Sequence, residues 1–149
     1  MRKREWAIAL AIVALACAKS PEQGGEAAGS VASDNPLVGP RWRLVELEGE
    51  AALTGGGSRE AHLVFSSDTA DRVGGATGCN SMGGTYEADE TSIRFSQLIS
   101  TKMACVEEER MRQEARFIKA LETADRYAVS GDTLTLSAGG EVVAKFVRS

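Results

Sequence analysis

The chain has 149 residues, enough for one compact domain and too few for two ordinary ones. Its 43% hydrophobic and 26% charged residues are those of a soluble globular protein. A formal net charge of −4 and a pI near 5.1 leave no basic footprint for nucleic acid, and no internal repeat is visible.

Arg2, Lys3 and Arg4 precede an apolar run of 13 residues, Trp6 to Ala18. A bilayer-spanning helix needs about 20, so a cleavable export signal fits better than a membrane-anchoring or buried helix. The run reaches Ala14-Leu15-Ala16-Cys17, which resembles the bacterial lipoprotein processing box, with Ala14 where leucine is usual. The resemblance implies a signal peptide over 1–16 and lipidation, with acyl groups such as palmitate, at Cys17, the new N-terminus. Two or more acyl chains anchor stably where one is marginal. Removing residues 1–16 deletes three basic residues and one acidic residue, which takes the charge from −4 to −6. The lipid, rather than the protein surface, is then expected to hold the chain at the membrane. Ala18, in place of the aspartate that retains lipoproteins at the inner membrane, favours the periplasmic side of the outer membrane.

Residues 17–36 follow as a lipidated N-terminus and flexible tether. Val31 is their one large aliphatic residue, too little apolar area to offset ordering entropy. A coil of this length reaches roughly 25 Å. The domain is expected over 37–149.

Short strands are predicted at "WRLVELE" (42–48 region, with both faces partly apolar), "AHLVFS", "DRVGGATG", "GTYEAD" and "TSIRFS", the last two forming a hairpin about Asp89–Glu90. "STKMAC", residues 100–105, reads as a sixth short strand or extended segment. The period then switches in "VEEERMRQEARFIKALETA" to that of an amphipathic helix, with Met111, Ala115, Ile118 and Leu121 as the buried stripe and Phe117 and Ala124 flanking it. Glu107, Glu108 and Glu109 suit the positive end of the helix dipole. The charged face reads as a solvated outer surface, the alternative being an acidic binding surface. Turn residues Gly131–Asp132 and Gly139–Gly140 then divide three more strands into consecutive hairpins. About eight antiparallel strands with one packed helix predict a mainly β fold, closed into a small barrel that hides its edges. Trp42, Phe65, Ile93, Leu98, Met111, Ile118, Leu121, Leu134, Leu136 and Phe146 are the expected core.

"GATGCNSMGGTY", residues 75–86, is the stretch richest in possible chemistry. It is not a phosphate loop: Gly84 stands where the lysine belongs, and no helix follows to receive the anion. Cys79, Asn80 and His62 would make a thiol–imidazole–amide set only if the imidazole lay within hydrogen-bonding reach. Two cysteines and one histidine are too few for a closed metal site, so no metal or cofactor is expected. With Cys17 consumed by lipid, Cys79 and Cys105 remain as an even pair in an exported protein, which favours a disulfide over two buried free thiols.

The segments "PLVGPRWRLVELEG", "GATGCNSMGGTYEADETSIRFSQLISTKMAC" and "RYAVSGDTLTLSAGGEVVAKF" resemble the META domain family, with its HslJ-like heat-inducible bacterial lipoproteins, over about residues 36–147. The most specific pieces are Gly78-Cys79-Asn80 with Gly83, Gly84 and Tyr86, and Thr101-Lys102-Met103-Ala104-Cys105. Lys102 replaces the usual arginine and Val106 the frequent proline. The resemblance implies a lipocalin-like β-barrel with one helix, no known reaction, and association with envelope stress. The 75–86 stretch is then a structural corner: Gly78, Gly83 and Gly84 allow turns or bulges, Cys79 staples it to the start of the helix, and Asn80 bonds local backbone.

The expected function is a non-enzymatic envelope lipoprotein that acts through an unidentified envelope protein partner. A carrier of small hydrophobic ligands, using the barrel interior, is the alternative, and a cysteine-dependent enzyme the third reading. Interior filling separates the first two, and the state of Cys79 the third.

Overall fold

A computed structural model describes residues 35–55, 59–103 and 105–149. The expected signal peptide, Cys17 and all but the last two residues of the tether lie outside these. Asn35, placed by composition in the tether, is already bound to the domain. Its side-chain oxygen accepts from the Leu37 amide at 3.0 Å, and its Nδ2 donates to the Tyr86 hydroxyl at 3.4 Å.

Among the described residues, nine strands and one helix follow in the order β1 (Arg41–Leu47), β2 (Glu50–Ala51), β3 (His62–Ser66), β4 (Arg72–Ala76), β5 (Ser81–Ala88), β6 (Ile93–Ser100), α1 (Glu108–Thr123), β7 (Arg126–Ser130), β8 (Thr133–Ala138) and β9 (Glu141–Arg148). The antiparallel sheet runs β6-β5-β4-β3-β1-β9-β8-β7, with β2 paired to β1 off that path. It curls so far that its two edge strands meet at one bridge, Ser92 to Arg126. Helix α1 packs on β6, β1 and β9.

Two bulges shape the sheet. In β1, Leu44 faces Phe146 and Glu46 faces Lys145, so Val45 is the extra residue. The parity therefore switches, and Trp42, Leu44 and Leu47 all point inward, which explains why both faces of this strand read as partly apolar. Between β5 and β6, Gly83 pairs with Ile99 and Thr85 with Ser96, so Gln97 and Leu98 face Gly84 alone. Gln97 takes the left-handed φ of 51° that this bulge needs. A Cβ on Gly84 would stand 2.9 Å from Ser96 O and from the Leu98 side chain. Gly84 is thus the bulge glycine, whereas Gly83 lies in regular ladder.

The interior is filled. Trp42, Phe65, Tyr86, Phe117, Phe146 and seven leucines, Leu37 among them, are almost wholly buried. Phe65 sits edge-on to Tyr86 at 4.9 Å, a favourable aromatic arrangement.

The helix buries a different face from the expected one. Gln113, Phe117, Ala120 and Leu121 point inward; Met111 is 49% exposed, Ala115 is exposed, and Ile118 and Leu98 are half-buried. The apolar count favoured Met111, but Gln113 can take the inward position because its side-chain oxygen accepts the Leu53 amide at 2.6 Å. Of the two readings of 100–105, the extended segment holds rather than a sixth strand: Ser100 ends β6, and residues 101–103 form no strand of their own.

Candidate functional site

The 75–86 stretch divides at Ala76. Before it, β4 runs to the end of its ladder; after it, Thr77 to Asn80 turn the chain and β5 returns antiparallel. Thr77 N–H donates to Asn80 O at 2.8 Å and closes the turn. Gly78 holds a φ of +101°, which residues with a Cβ rarely adopt.

Asn80, 3% exposed, then uses every polar atom it has. Its Oδ1 accepts from the Thr101 hydroxyl and the Met103 amide, both at 2.8 Å. Its Nδ2 donates to Met103 O at 3.3 Å and to the Glu114 carboxylate at 3.0 Å. Its backbone N–H points between Thr77 Oγ1 and Glu114 Oε2, at 3.0 and 3.2 Å. The Thr101 amide still donates to Ser81 O of β5 at 3.0 Å, and beyond it the Asn80 side-chain amide does what a neighbouring strand would have done, which keeps residues 102–103 extended past the end of the ladder. The Thr77 hydroxyl donates to Glu114 at 2.5 Å, so helix α1 is tied to the turn through one carboxylate.

Cys79 and Cys105 are joined by a disulfide, their Cα atoms 5.9 Å apart, within the usual span of about 4.4–6.8 Å. The sulfur that a nucleophile would need is engaged. His62 faces elsewhere: its Nδ1 lies 2.7 Å from Glu60 O and 3.2 Å from an Arg41 guanidinium nitrogen. Burial, above all, holds its pKa below 6.5, partly offset by the Glu60 carbonyl.

Residues 35–149 match the family described as the META domain. The chain belongs to that family. Its fold resembles an NMR structure of a protein from Burkholderia xenovorans, 24% identical, over 76% of this chain and 84% of that one, with a TM-score of 0.63. A second NMR structure is similar at 15% identity over 75% of this chain and 92% of that one (TM-score 0.59). A crystal structure of a DUF4847 family protein from Bacteroides vulgatus is similar at 16% identity, over 74% and 93% of the two chains (TM-score 0.51). At these identities the likeness is one of fold alone. No curated protein matches the chain.

The META domain thus brings Gly78, Cys79, Asn80, Thr101, Met103 and Cys105 into one cluster. Gly83 and Gly84 lie beyond it along β5. Tyr86 stands apart, buried near the domain's first described residue, where burial, aided by the charge of Asp71, raises the pKa of its phenol. Sequence reasoning missed Thr77 and Glu114. Glu114 reads as one more charge on a solvated helix face, and only its 34-residue separation from Asn80, closed by the fold, reveals otherwise. Thr77, three residues before Asn80, carried a local signal that went unused: a threonine at that spacing can bond the turn backbone.

Proposed function

We propose that this chain is a non-enzymatic lipoprotein of the cell envelope, lipid-anchored at Cys17, whose META domain docks on a protein partner and supports envelope integrity under stress. The observation that carries this reading is a concentration of exposed apolar side chains. Ile99 (73% exposed), Met103, Val106 (104%) and Met111 all fall within thirteen residues spanning the end of β6 and the start of α1. The other large apolar residues exposed among those described, Val64 and Val142, lie on separate strands. Met103 and Val106 share the rim of one cavity, and exposed apolar residues gathered in this way mark interaction sites. The filled interior favours this reading over a carrier that uses the barrel lumen.

Affinity capture of the native protein from its own membranes tests it, run beside Ile99→Glu with Val106→Glu, and beside Cys17→Ser. The expected result is one protein held by the native chain and lost from the surface variant, with acyl labelling lost in Cys17→Ser. Identical captures by the native and surface-variant chains refute the docking face; undiminished acyl labelling of Cys17→Ser refutes the anchor.

A further inference from the structure

Strands β4 and β5 carry four glycines, and the fold itself demands two of them. A Cβ on Gly75 would stand 2.0 Å from His62 O, and the bulge opposite Gln97 and Leu98 accounts for Gly84. Gly74 and Gly83 have no such cause. Neither takes a left-handed φ, and a Cβ on either would meet only Met82 O at 3.9 Å or Val73 O at 3.8 Å, ordinary contact distances. The curl of the sheet crowds its inner face and opens its outer one, so curvature does not call for them either. Glycine weakens a strand, and where no bulge or bend requires it, it marks a surface that something approaches closely.

The two glycines form the middle of a row across five strands. Arg41 faces Val64, Val64 faces Gly74, Gly74 faces Gly83 and Gly83 faces Ile99. Directly opposed residues share one face of a sheet. Here it is the outer face, because Val73 and Met82, next in sequence to the glycines, are buried while Val64 and Ile99 are exposed. The row is therefore a floor of bare backbone, two strands wide, between two aliphatic walls. Three strand spacings separate Val64 from Ile99, about 14 Å between Cα positions. A flat apolar group fits such a floor.

Charge narrows the occupant. Arg72 lies on the same face two residues before Gly74, about 7 Å along β4, and Arg41 ends the row beyond Val64. Neither has an ion-pair partner among the described residues, although the chain as a whole carries −4. Arg72 is exposed, and a guanidinium there can cover the face of a ring or take a carboxylate.

We propose that this face receives an aromatic side chain from an acidic segment of the partner protein. The ring lies flat on Gly74 and Gly83 between Val64 and Ile99, and Arg72 and Arg41 meet the flanking carboxylates. The site shares Ile99 with the docking face described above and rests on that reading for the existence of a partner.

The test is an NMR titration of the full, isotope-labelled chain in neutral detergent, following the Gly74 and Gly83 amides. The probe is a capped tetrapeptide of glutamate, aspartate, tryptophan and glutamate. Two controls replace its tryptophan by leucine or its three acids by lysine. Saturable shifts are expected at a dissociation constant of about 1 mM, with both controls at least about tenfold weaker. Gly74→Ala with Gly83→Ala should keep an undiminished denaturation midpoint, since both Cβ atoms have room, yet bind the probe at least about tenfold more weakly. Arg72→Gln should lose about threefold. Equal binding of the three peptides, undiminished binding by the glycine variant, or a lowered midpoint in that variant each overturn the proposal. Shifts of the same amides on dilution alone would give the face to a second copy, and equal shifts with added phosphatidylglycerol would give it to lipid; either overturns it too. Membrane capture separates this site from the reading it rests on. A glycine variant that still holds the protein lost from Ile99→Glu with Val106→Glu refutes the ring site and leaves the docking face standing; a native chain that captures nothing refutes the docking face, and the partner with it.

Discussion

The barrel interior and the corner at residues 77–80 are both buried, yet they are built by opposite means. In the interior, Trp42, Phe65, Phe117 and Phe146 are held by shape and by exclusion from water, and no single neighbour is indispensable. At the corner, Asn80 is held by named partners from three separate segments, Thr77, Thr101–Met103 and Glu114, and a disulfide closes over it. The interior tolerates a change of residue that keeps volume; the corner tolerates only a residue that keeps every donor and acceptor.

Mutations grade that contrast. The largest effect is expected from Phe117→Ala, which empties a site in contact with Phe146 and should cost about 3–5 kcal/mol in chemical denaturation. Phe117→Leu, keeping most of the volume, should cost much less; equal losses would mean that the interior is as particular as the corner. Next comes the disulfide. Replacing Cys79 and Cys105 together by serine releases a loop with 26 residues of sequence separation, and about 3–4 kcal/mol should be lost. A thiol count on the oxidised, unfolded native protein should find neither cysteine free. Asn80→Ala should cost about 2–3 kcal/mol by stranding the Met103 amide and the Glu114 carboxylate. Here Asn80→Asp should be no better, because it sets a second carboxylate beside the first; rescue by aspartate would show that size rather than donors matters. The smallest effect belongs to Met111→Ser, below about 0.5 kcal/mol, since that side chain is half in water. A loss above 1 kcal/mol, on the order of a buried contact, would return Met111 to the core stripe.

What the sequence made legible follows the same division. The strands about Phe65, Tyr86, Leu134 and Phe146 were visible because alternation and turn glycines are local signals. The hairpin turn at Asp89 was visible too: its carboxylate accepts from the Ser92 hydroxyl and from the Ser92 and Thr91 amides, which lowers its pKa to about 2. The helix was visible, but its face was not. Met111 and Ile118 outvote Gln113 on any hydrophobic count, and only the Leu53 amide, 60 residues away, makes an inward glutamine affordable. The course of 101–103 was legible as strand or extended segment, and the choice between them was not, because a side-chain amide substituting for a ladder leaves no periodicity. The family resemblance pointed to the right cluster through Asn80 and Cys105, while Glu114, on an acidic helix, offered nothing to distinguish it.

The pairing of β1 with β9 has a consequence for how the molecule comes into being. Ser149 bonds back to Arg41 across 108 residues of sequence, and β1 cannot complete its place in the sheet until β9 arrives. Contacts so distant along the chain are slow to form, typically taking milliseconds to seconds in all-β domains of about this size. Until then β1 presents one bare edge and the inward face of Trp42 and Leu44 to its surroundings. A chain emerging N-terminus first would carry that sticky strand throughout its emergence, which makes the nascent form, rather than the finished barrel, the species with most need of a chaperone.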